Sequence, residues 1–169
     1  MKKNTMKDIE IKNKKEFILM RGVSGSGKST LAKQLVGDTG LQFAADDYFL
    51  DGQGKYHWSG ERVSAAHHWN YERVKKAIDE GISPVILDNT TITKRDLRSA
   101  KPVVLYAEAN DYEVRIEETK TPWAFDAEEL VKRNQHGVNL ETIQRQLRRW
   151  YPNPTVEDIK NDFQPPEIR

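Results

Sequence analysis

The sequence contains no cysteine among its 169 residues. Disulfide bonds, thiolate catalysis and cysteine-based zinc or iron–sulfur sites are therefore excluded. No apolar run approaches the roughly 18 residues that a membrane-spanning helix needs. The amino end begins with charged residues and lacks the apolar segment of a signal peptide. Together these absences predict a protein of the reducing cytoplasm that has no contact with a membrane.

There is also almost no excess of charge of either sign, because 27 Lys and Arg residues face 26 Asp and Glu residues. Such a chain has no long-range field that attracts nucleic acid, so any site for a polyanion must be a local patch. Lysines are concentrated in residues 1–15, which we interpret as a flexible basic tail that solubilises the chain or touches phosphates. Prolines in residues 152–169 predict a second tail, which leaves residues 16–151 as one domain.

Between these tails, short apolar runs alternate with longer segments of helical period. Strands are predicted at residues 17–20, 41–45, 84–87 and 112–117, and helices at 28–36, 60–80 and 93–109, with a break at Pro102. Two more helices are predicted after Asp126 and Asn139, since both residue types cap helix amino ends. The last helix carries Arg145, Arg148 and Arg149 largely off its apolar stripe, available to solvent or phosphate. Strands that alternate with helices indicate a parallel α/β sheet.

The strongest chemical signal is the run GVSGSGKS at residues 22–29, which follows an apolar strand and precedes a helix. A G-x4-G-K-S loop in this context is typical of a loop that wraps the phosphates of a nucleoside triphosphate with backbone N–H groups. Lys28 would reach the β- and γ-phosphates, and the Ser29 hydroxyl would bind magnesium. The predicted nucleotide-binding residues are Gly25, Ser26, Gly27, Lys28, Ser29 and Thr30.

Three aspartates follow predicted strands. Asp46 and Asp47 come after the second strand, and Asp88 ends the third, followed by Asn89 and Thr90. The carboxyl ends of parallel strands meet at the ligand-binding edge of the sheet. Phosphoryl transfer needs one carboxylate to accept the proton of the attacking hydroxyl and usually another to hold magnesium or its water, and Asp46 and Asp88 are the candidates. Without the phosphate loop upstream, adjacent aspartates would instead indicate a turn or a helix cap.

The ordered set of motifs resembles the P-loop kinase family that includes the kinase domain of bacteriophage polynucleotide 5′-hydroxyl kinase. It resembles more closely the kinase-like domain of the Nedd-four-binding proteins. The matching segments are residues 22–30, 46–48, 66–70, 81–84, 87–90, 130–134 and 136–138. The resemblance implies a P-loop NTPase fold, a three-layer α/β/α sandwich with about four parallel strands and a helical lid. It also implies ATP and Mg²⁺ as the bound species and transfer of the γ-phosphoryl group to a hydroxyl.

The resemblance also assigns roles to individual residues. Asp46 matches the general base, and Arg133 matches a lid arginine that stabilises the transferring phosphate, a role worth about a thousandfold in rate. Two departures concern the acceptor: Phe49 stands where the phage-type enzyme has an arginine for the acceptor phosphate, and the lid segment at residues 135–137 is one residue shorter. Arg95 and Arg98 either compensate or lie on the surface. The residues predicted to bind substrate are Asp47, His67, Asn89, Thr90 and Arg95.

His67 has two interpretations. It lies on the predicted buried stripe of its helix, where it is either a histidine bonded to a backbone carbonyl or a contact to the acceptor or to Asp46. Three function classes stay open at this point. The first hypothesis is a polynucleotide 5′-hydroxyl kinase, with a nucleic acid 5′ end as acceptor. The second is a small-molecule kinase that acts on a nucleoside or sugar-like alcohol, and the third is an ATP-binding switch.

Overall fold

The computed structural model describes residues 14–165, and the basic amino-terminal segment lies almost entirely outside this range. One four-stranded sheet with strand order β2-β3-β1-β4 forms the centre, and all of its strand pairs are parallel. The order in space differs from the order along the chain because the helices cross over between parallel strands. The strands are β1 (Lys15–Arg21), β2 (Leu41–Phe43), β3 (Val85–Asp88) and β4 (Tyr112–Glu118).

Helices connect the strands and follow the last one. The α-helices are α1 (Lys28–Val36), α2 (Val63–Asp79), α3 (Lys94–Ser99), α4 (Lys101–Ala109), α5 (Ala127–Arg133), α6 (Leu140–Arg149) and α7 (Val156–Lys160). Two short 3₁₀ helices span Ala45–Phe49 and Gly60–Arg62. Among the described residues, no helix is long and apolar enough to cross a membrane.

The predicted strand at residues 17–20 is fully buried because helices cover both faces of the sheet. Phe17 and Leu19 pack against α2 and α4, whereas Ile18 and Met20 pack against α1 on the opposite face. This alternation explains why the run is continuously apolar, as expected for a central parallel strand. The expected α/β fold with a parallel core of four strands is therefore confirmed.

Side-chain caps set several helix boundaries, as the sequence predicted. Asp126 accepts a hydrogen bond from the Glu129 N–H at the start of α5, and Asn139 accepts one from the Thr142 N–H at the start of α6. The predicted helix at residues 93–109 divides into α3 and α4 around Ala100, just before Pro102. Proline restricts the residue that precedes it, so a break slightly upstream of its own position is expected.

The carboxyl-terminal segment differs from the predicted tail. Thr155 and Asp158 form a reciprocal capping box at the start of α7, and the side chain of Ile159 is completely buried in the main core cluster. Pro152 and Pro154 lie in the segment between α6 and α7, where they prevent one continuous helix. They still allow the short helix α7 to pack on α4 and β4. The folded unit therefore extends beyond residue 151.

Arg21 is a buried charge at the end of β1, with no exposed surface. Its guanidinium donates to the Glu118 carboxylate at 2.7 Å and to three backbone carbonyls, those of Thr91, Ile92 and Tyr151. Burial lowers the pKa of Arg21, and the hydrogen bond and charge of Glu118 oppose this effect. The arginine ties the loop after β3 and the end of α6 to the centre of the sheet.

Candidate active site

The phosphate loop connects β1 to the amino end of α1, as the sequence predicted. Gly27 is the N-cap of α1 with a left-handed φ of 96°, no side chain caps this end, and the first turn contains no acidic residue. The first N–H groups of the helix therefore lack side-chain partners and carry the positive end of the helix dipole. This arrangement is suited to an anion. Ser29 and Thr30 are exposed in the same turn.

Side chains from the part of the chain that follows β4 bind the rest of the loop. Gln146 on α6 accepts from the Ser24 N–H at 3.1 Å and contacts its hydroxyl at 3.2 Å. The indole of Trp123 donates to the Gly25 carbonyl at 3.1 Å. A Cβ atom at Gly25 would stand 2.4 Å from the Leu130 carbonyl oxygen, and φ is 87° there, so glycine is required. The loop conformation therefore depends on α5 and α6 as well as on its own glycines.

Lys28 lies beside Asp88, which confirms that the loop and the end of β3 meet at one edge of the sheet. The Lys28 ammonium is 2.5 Å from one Asp88 oxygen, and the Gln42 side chain donates to the other at 2.6 Å. Asp88 is only 3% exposed. Each carboxylate oxygen of Asp88 therefore accepts a side-chain hydrogen bond. The ion pair keeps the lysine next to the helix amino end, where phosphates would bind.

The residues in this corner fit a magnesium ion. The Ser29 hydroxyl is exposed and is an oxygen donor of the kind that Mg²⁺ binds together with phosphate oxygens and water. Asp88 is almost completely buried and Gln42 donates to one of its oxygens, so this carboxylate fits contact through water better than direct coordination. Ser29 and, through water, Asp88 are accordingly the residues that would hold the ion.

Asp46 lies in the 3₁₀ helix that follows β2, and its side chain is 53% exposed. The backbone of this helix is tied to the end of β3, because the Ala45 N–H donates to the Asn89 side chain at 3.0 Å. Two side chains approach the Asp46 carboxylate. The Tyr56 hydroxyl donates at 3.4 Å, and the His136 ring nitrogen lies 3.9 Å from the other oxygen. Asp46 is an accessible carboxylate with room for a reacting hydroxyl.

Tyr56 remains a hydrogen-bond donor across the whole physiological pH range. Burial, followed by the charge and the hydrogen bond of Asp46, raises the pKa of Tyr56 to about 12. Its ring also packs against His136 with ring centres 5.0 Å apart. His136 belongs to the segment between α5 and α6, so this segment and the Asp46 region meet at this point.

Two residues predicted for the site point elsewhere. Asp47 forms an ion pair with Arg73 of α2 at 3.2 Å and does not line the cleft described below. Arg133 is bonded to Glu129 at 3.1 Å and lies 3.7 Å above the Trp123 ring. In this conformation the Arg133 guanidinium contacts Glu129 and Trp123, and its contact with a transferring phosphate stays a prediction.

The other four residues predicted to bind substrate line one cleft of about 1040 Å³ beside the phosphate loop. They are His67, Asn89, Thr90 and Arg95. The cleft is also lined by three residues of α6, Arg145, Gln146 and Arg149. The sequence predicts that this helix has a cationic side. Tertiary packing places that side beside the loop after β3, and no local sequence signal indicates this placement.

The alternatives at His67 and Phe49 can now be compared with the structure. His67 is half-buried and faces the cleft, whereas Asn70, one helical turn away, is completely buried and donates to the Phe43 carbonyl. Phe49 is buried in a small apolar cluster with Ala45 and Ala66. Position 49 therefore stabilises the Asp46 region and offers nothing to a phosphate.

Tyr71 also lines the cleft, and we expect it to make stability depend on alkaline pH. Burial and the nearby charge of Asp96 raise its pKa from 10.0 to about 12 in the folded protein. Between these values the unfolded chain has released a proton that the native protein keeps, so the free energy of unfolding falls as pH rises. Tyr71→Phe should remove about 2 kcal/mol of this decline, measured by urea unfolding from pH 8 to 12. An identical pH dependence of both proteins would contradict the assignment.

Comparisons with known proteins identify relatives of this chain. The model of the AAA domain family (AAA_33) matches residues 17–153. The chain is 37% identical over 154 residues to NEDD4-binding protein 2 from Homo sapiens, an alignment that covers 90% of this chain. It spans only 8% of the length of that relative.

Solved structures show similar folds. A chain of the Pnkp1/Rnl/Hen1 RNA repair complex superimposes with a TM-score of 0.59 at 20% identity, covering 89% of this chain and 46% of that chain. A gluconokinase from Sinorhizobium meliloti 1021 superimposes with a TM-score of 0.51 at 15% identity, covering 88% and 89%. At these identities the likeness concerns the fold alone.

Proposed function

Because this chain belongs to the AAA domain family of P-loop kinases, we propose that it transfers the γ-phosphoryl group of ATP to the 5′-hydroxyl of a polynucleotide. The observation that carries the proposal is an exposed carboxylate, Asp46, at the same edge of the sheet as the phosphate loop. Its 3₁₀ helix is bonded through the Ala45 N–H to Asn89, which lines the cleft. The family resemblance in the ordered motifs, and a fold shared with a chain of an RNA repair complex, support the polynucleotide acceptor.

In this proposal the loop and the amino end of α1 bind the phosphates of ATP, and Lys28 moves its charge from Asp88 to the β- and γ-phosphates. Bound Mg²⁺ would neutralise part of the phosphate charge. Ser29 would hold the ion directly, and Asp88 would hold it through water. The acceptor oxygen forms a bond to the γ-phosphorus as the bond to the β-phosphate oxygen breaks. Asp46 takes the proton of the attacking hydroxyl, and ADP leaves.

Tyr56 and Asn89 act in this proposal as positioning residues. Asn89 fixes the start of the 3₁₀ helix through the Ala45 N–H, and the Tyr56 hydroxyl orients one oxygen of Asp46. The second oxygen, which lies 3.9 Å from the His136 ring nitrogen, would meet the acceptor hydroxyl. General bases work when they lie within hydrogen-bond reach of the proton they remove, so a fixed carboxylate is more effective than a mobile one.

One observation favours a second candidate, a kinase for a small alcohol. The residue at the position of the phage-type acceptor arginine, Phe49, is buried and apolar. An acceptor without a phosphate would need no arginine at that position. Under this alternative the same loop and Asp46 would act on a nucleoside or sugar-like hydroxyl in the same cleft.

The experiment that tests the proposal offers several acceptors to one protein sample. Purified protein is incubated with γ-labelled ATP and magnesium, together with 5′-hydroxyl oligonucleotides, nucleosides or simple sugars. Label on oligonucleotide ends is the expected result. Label only on a small alcohol would select the second candidate, and release of free phosphate alone would contradict both.

A further inference from the structure

We propose that three arginines of the cleft, Arg95, Arg145 and Arg149, bind the phosphates of the acceptor strand that follow its 5′-terminal hydroxyl. These residues are called the arginine face below. The proposal rests on the polynucleotide acceptor of the proposed function and names the residues that recognise it. It assigns to α3 and α6 the contact that position 49 cannot make.

The charge of the cleft supports a polyanionic ligand. Its charged lining residues, histidines aside, are the three arginines and Asp96. Asp96 is occupied at the start of α3, where one of its oxygens accepts from the backbone N–H groups of Ile92 and Thr93 at 3.0 Å. The arginines therefore dominate the charge that a ligand in the cleft would meet.

The arginine face has no partner among residues 14–165. None of its three guanidinium groups forms an ion pair with another described residue, and Arg145 and Arg149 are exposed. Arginines four residues apart on a helix lie on one face and repel each other, which is slightly destabilising unless an anion lies between them. Arginine is also the side chain that binds phosphate in a bidentate manner.

Helix α6, which carries two of the three arginines, also contacts the phosphate loop. Gln146 lies between Arg145 and Arg149 and bonds both the N–H and the hydroxyl of Ser24. Asn89 and Thr90 line the same cleft where it meets the end of β3. A strand whose terminal hydroxyl is held near this end can therefore extend along the cleft toward α6.

The size of the cleft agrees with an extended acceptor. Its volume of about 1040 Å³ lies just above the roughly 300–1,000 Å³ that sites for drug-sized ligands occupy. A nucleoside or a monosaccharide would leave much of it unfilled.

The test uses the double variant Arg145→Gln/Arg149→Gln, with Arg148→Gln as the matched control. Arg148 is an exposed arginine on the same helix that does not line the cleft. The acceptors are a nucleoside 3′-monophosphate, a 5′-hydroxyl dinucleotide and a 5′-hydroxyl octanucleotide. For the wild type and the control, kcat/KM should rise with the number of phosphates. In the double variant the octanucleotide should lose about tenfold per arginine, through KM, and the dependence on length should become nearly flat.

A binding measurement accompanies the kinetics. Anisotropy of a single-stranded octanucleotide labelled at its 3′ end gives the affinity at several salt concentrations without ATP. Removal of two phosphate contacts should reduce the slope of log affinity against log salt by about 1.4, since each contact on a single strand contributes about 0.7.

The outcomes separate this proposal from the proposed function. Transfer to the octanucleotide with the same KM and salt slope in the double variant and in Arg148→Gln would overturn the arginine face while leaving the kinase in place. Absence of transfer to any oligonucleotide, together with a reduced salt slope in the double variant, would support the arginine face and overturn the polynucleotide kinase. Absence of transfer with equal salt slopes would overturn both.

Discussion

Asp46→Asn is expected to abolish phosphoryl transfer and leave ATP binding intact. The amide has the shape of the carboxylate and can keep the contact with Tyr56, but it cannot accept the proton of the attacking hydroxyl. Loss of a general base costs about 10²–10⁴-fold in rate. The rate is measured as label transferred from γ-labelled ATP to a 5′-hydroxyl octanucleotide, and ATP affinity is measured by calorimetry on the same protein.

The neighbouring carboxylate provides a matched control for this prediction. Asp47 is held in an ion pair with Arg73 of α2, so Asp47→Asn should retain most of the transfer rate. Full transfer by the Asp46→Asn protein would remove the base assignment. Equal losses in both variants would indicate that the 3₁₀ helix, and not the Asp46 carboxylate, is what the reaction requires.

Lys28→Ala is expected to reduce stability as well as activity. Asp88 is almost completely buried, and its nearest counter-charge is the Lys28 ammonium at 2.5 Å. Removing one partner of a buried ion pair leaves an uncompensated charge, which costs about 3 kcal/mol of unfolding free energy. Transfer and ATP affinity should fall together, because the same ammonium would bind the β- and γ-phosphates.

A double variant separates the two roles of Lys28. In Lys28→Ala/Asp88→Asn no buried charge is left behind, and the amide introduced at position 88 keeps an acceptor oxygen for Gln42. Most of the lost stability should return in urea unfolding, with a coupling energy of about 1–3 kcal/mol, whereas transfer should not return. If the double variant lost as much stability as the two single variants together, Lys28 and Asp88 would not be energetically coupled in the folded protein.

The sequence predicted the architecture well because the relevant signals are local. A continuous apolar strand, a loop with glycines at two positions of positive φ and a helix that begins at Lys28 are all encoded within about twenty residues. The parallel register then places Met20 opposite Asp88. The meeting of the loop with this aspartate follows from the order of the elements and needs no knowledge of distant side chains.

Side-chain directions were much less predictable, because distant elements decide them. Asp46 and Asp47 are adjacent, yet Asp46 lies near His136 and Asp47 pairs with Arg73 of α2. Arg133 could have been a solvated helix residue or a site residue, and its position depends on Trp123. The distinction between Arg95, which faces the cleft, and Arg98, which contacts Phe163 and the Asp162 carbonyl, depends on how α7 packs.

Two parts of the structure have signals in the sequence that did not decide the prediction. Thr155 followed by Asp158 is a capping pattern, but the surrounding prolines favoured a tail. Arg21 directly follows four apolar residues, a position that is compatible with a buried charge in need of partners. Those partners lie at positions 91, 92, 118 and 151, which are close only in the folded chain.

The bond between Gln146 and Ser24 has a thermodynamic consequence. One turn of α6 holds the backbone of the phosphate loop and also carries two arginines of the cleft. A shift of this helix would change both environments at once, so the proposed function leads us to expect that the occupancies of the two regions are energetically linked. Linkage of this kind is reciprocal: whatever factor ATP adds to acceptor affinity through α6, the acceptor must add to ATP affinity.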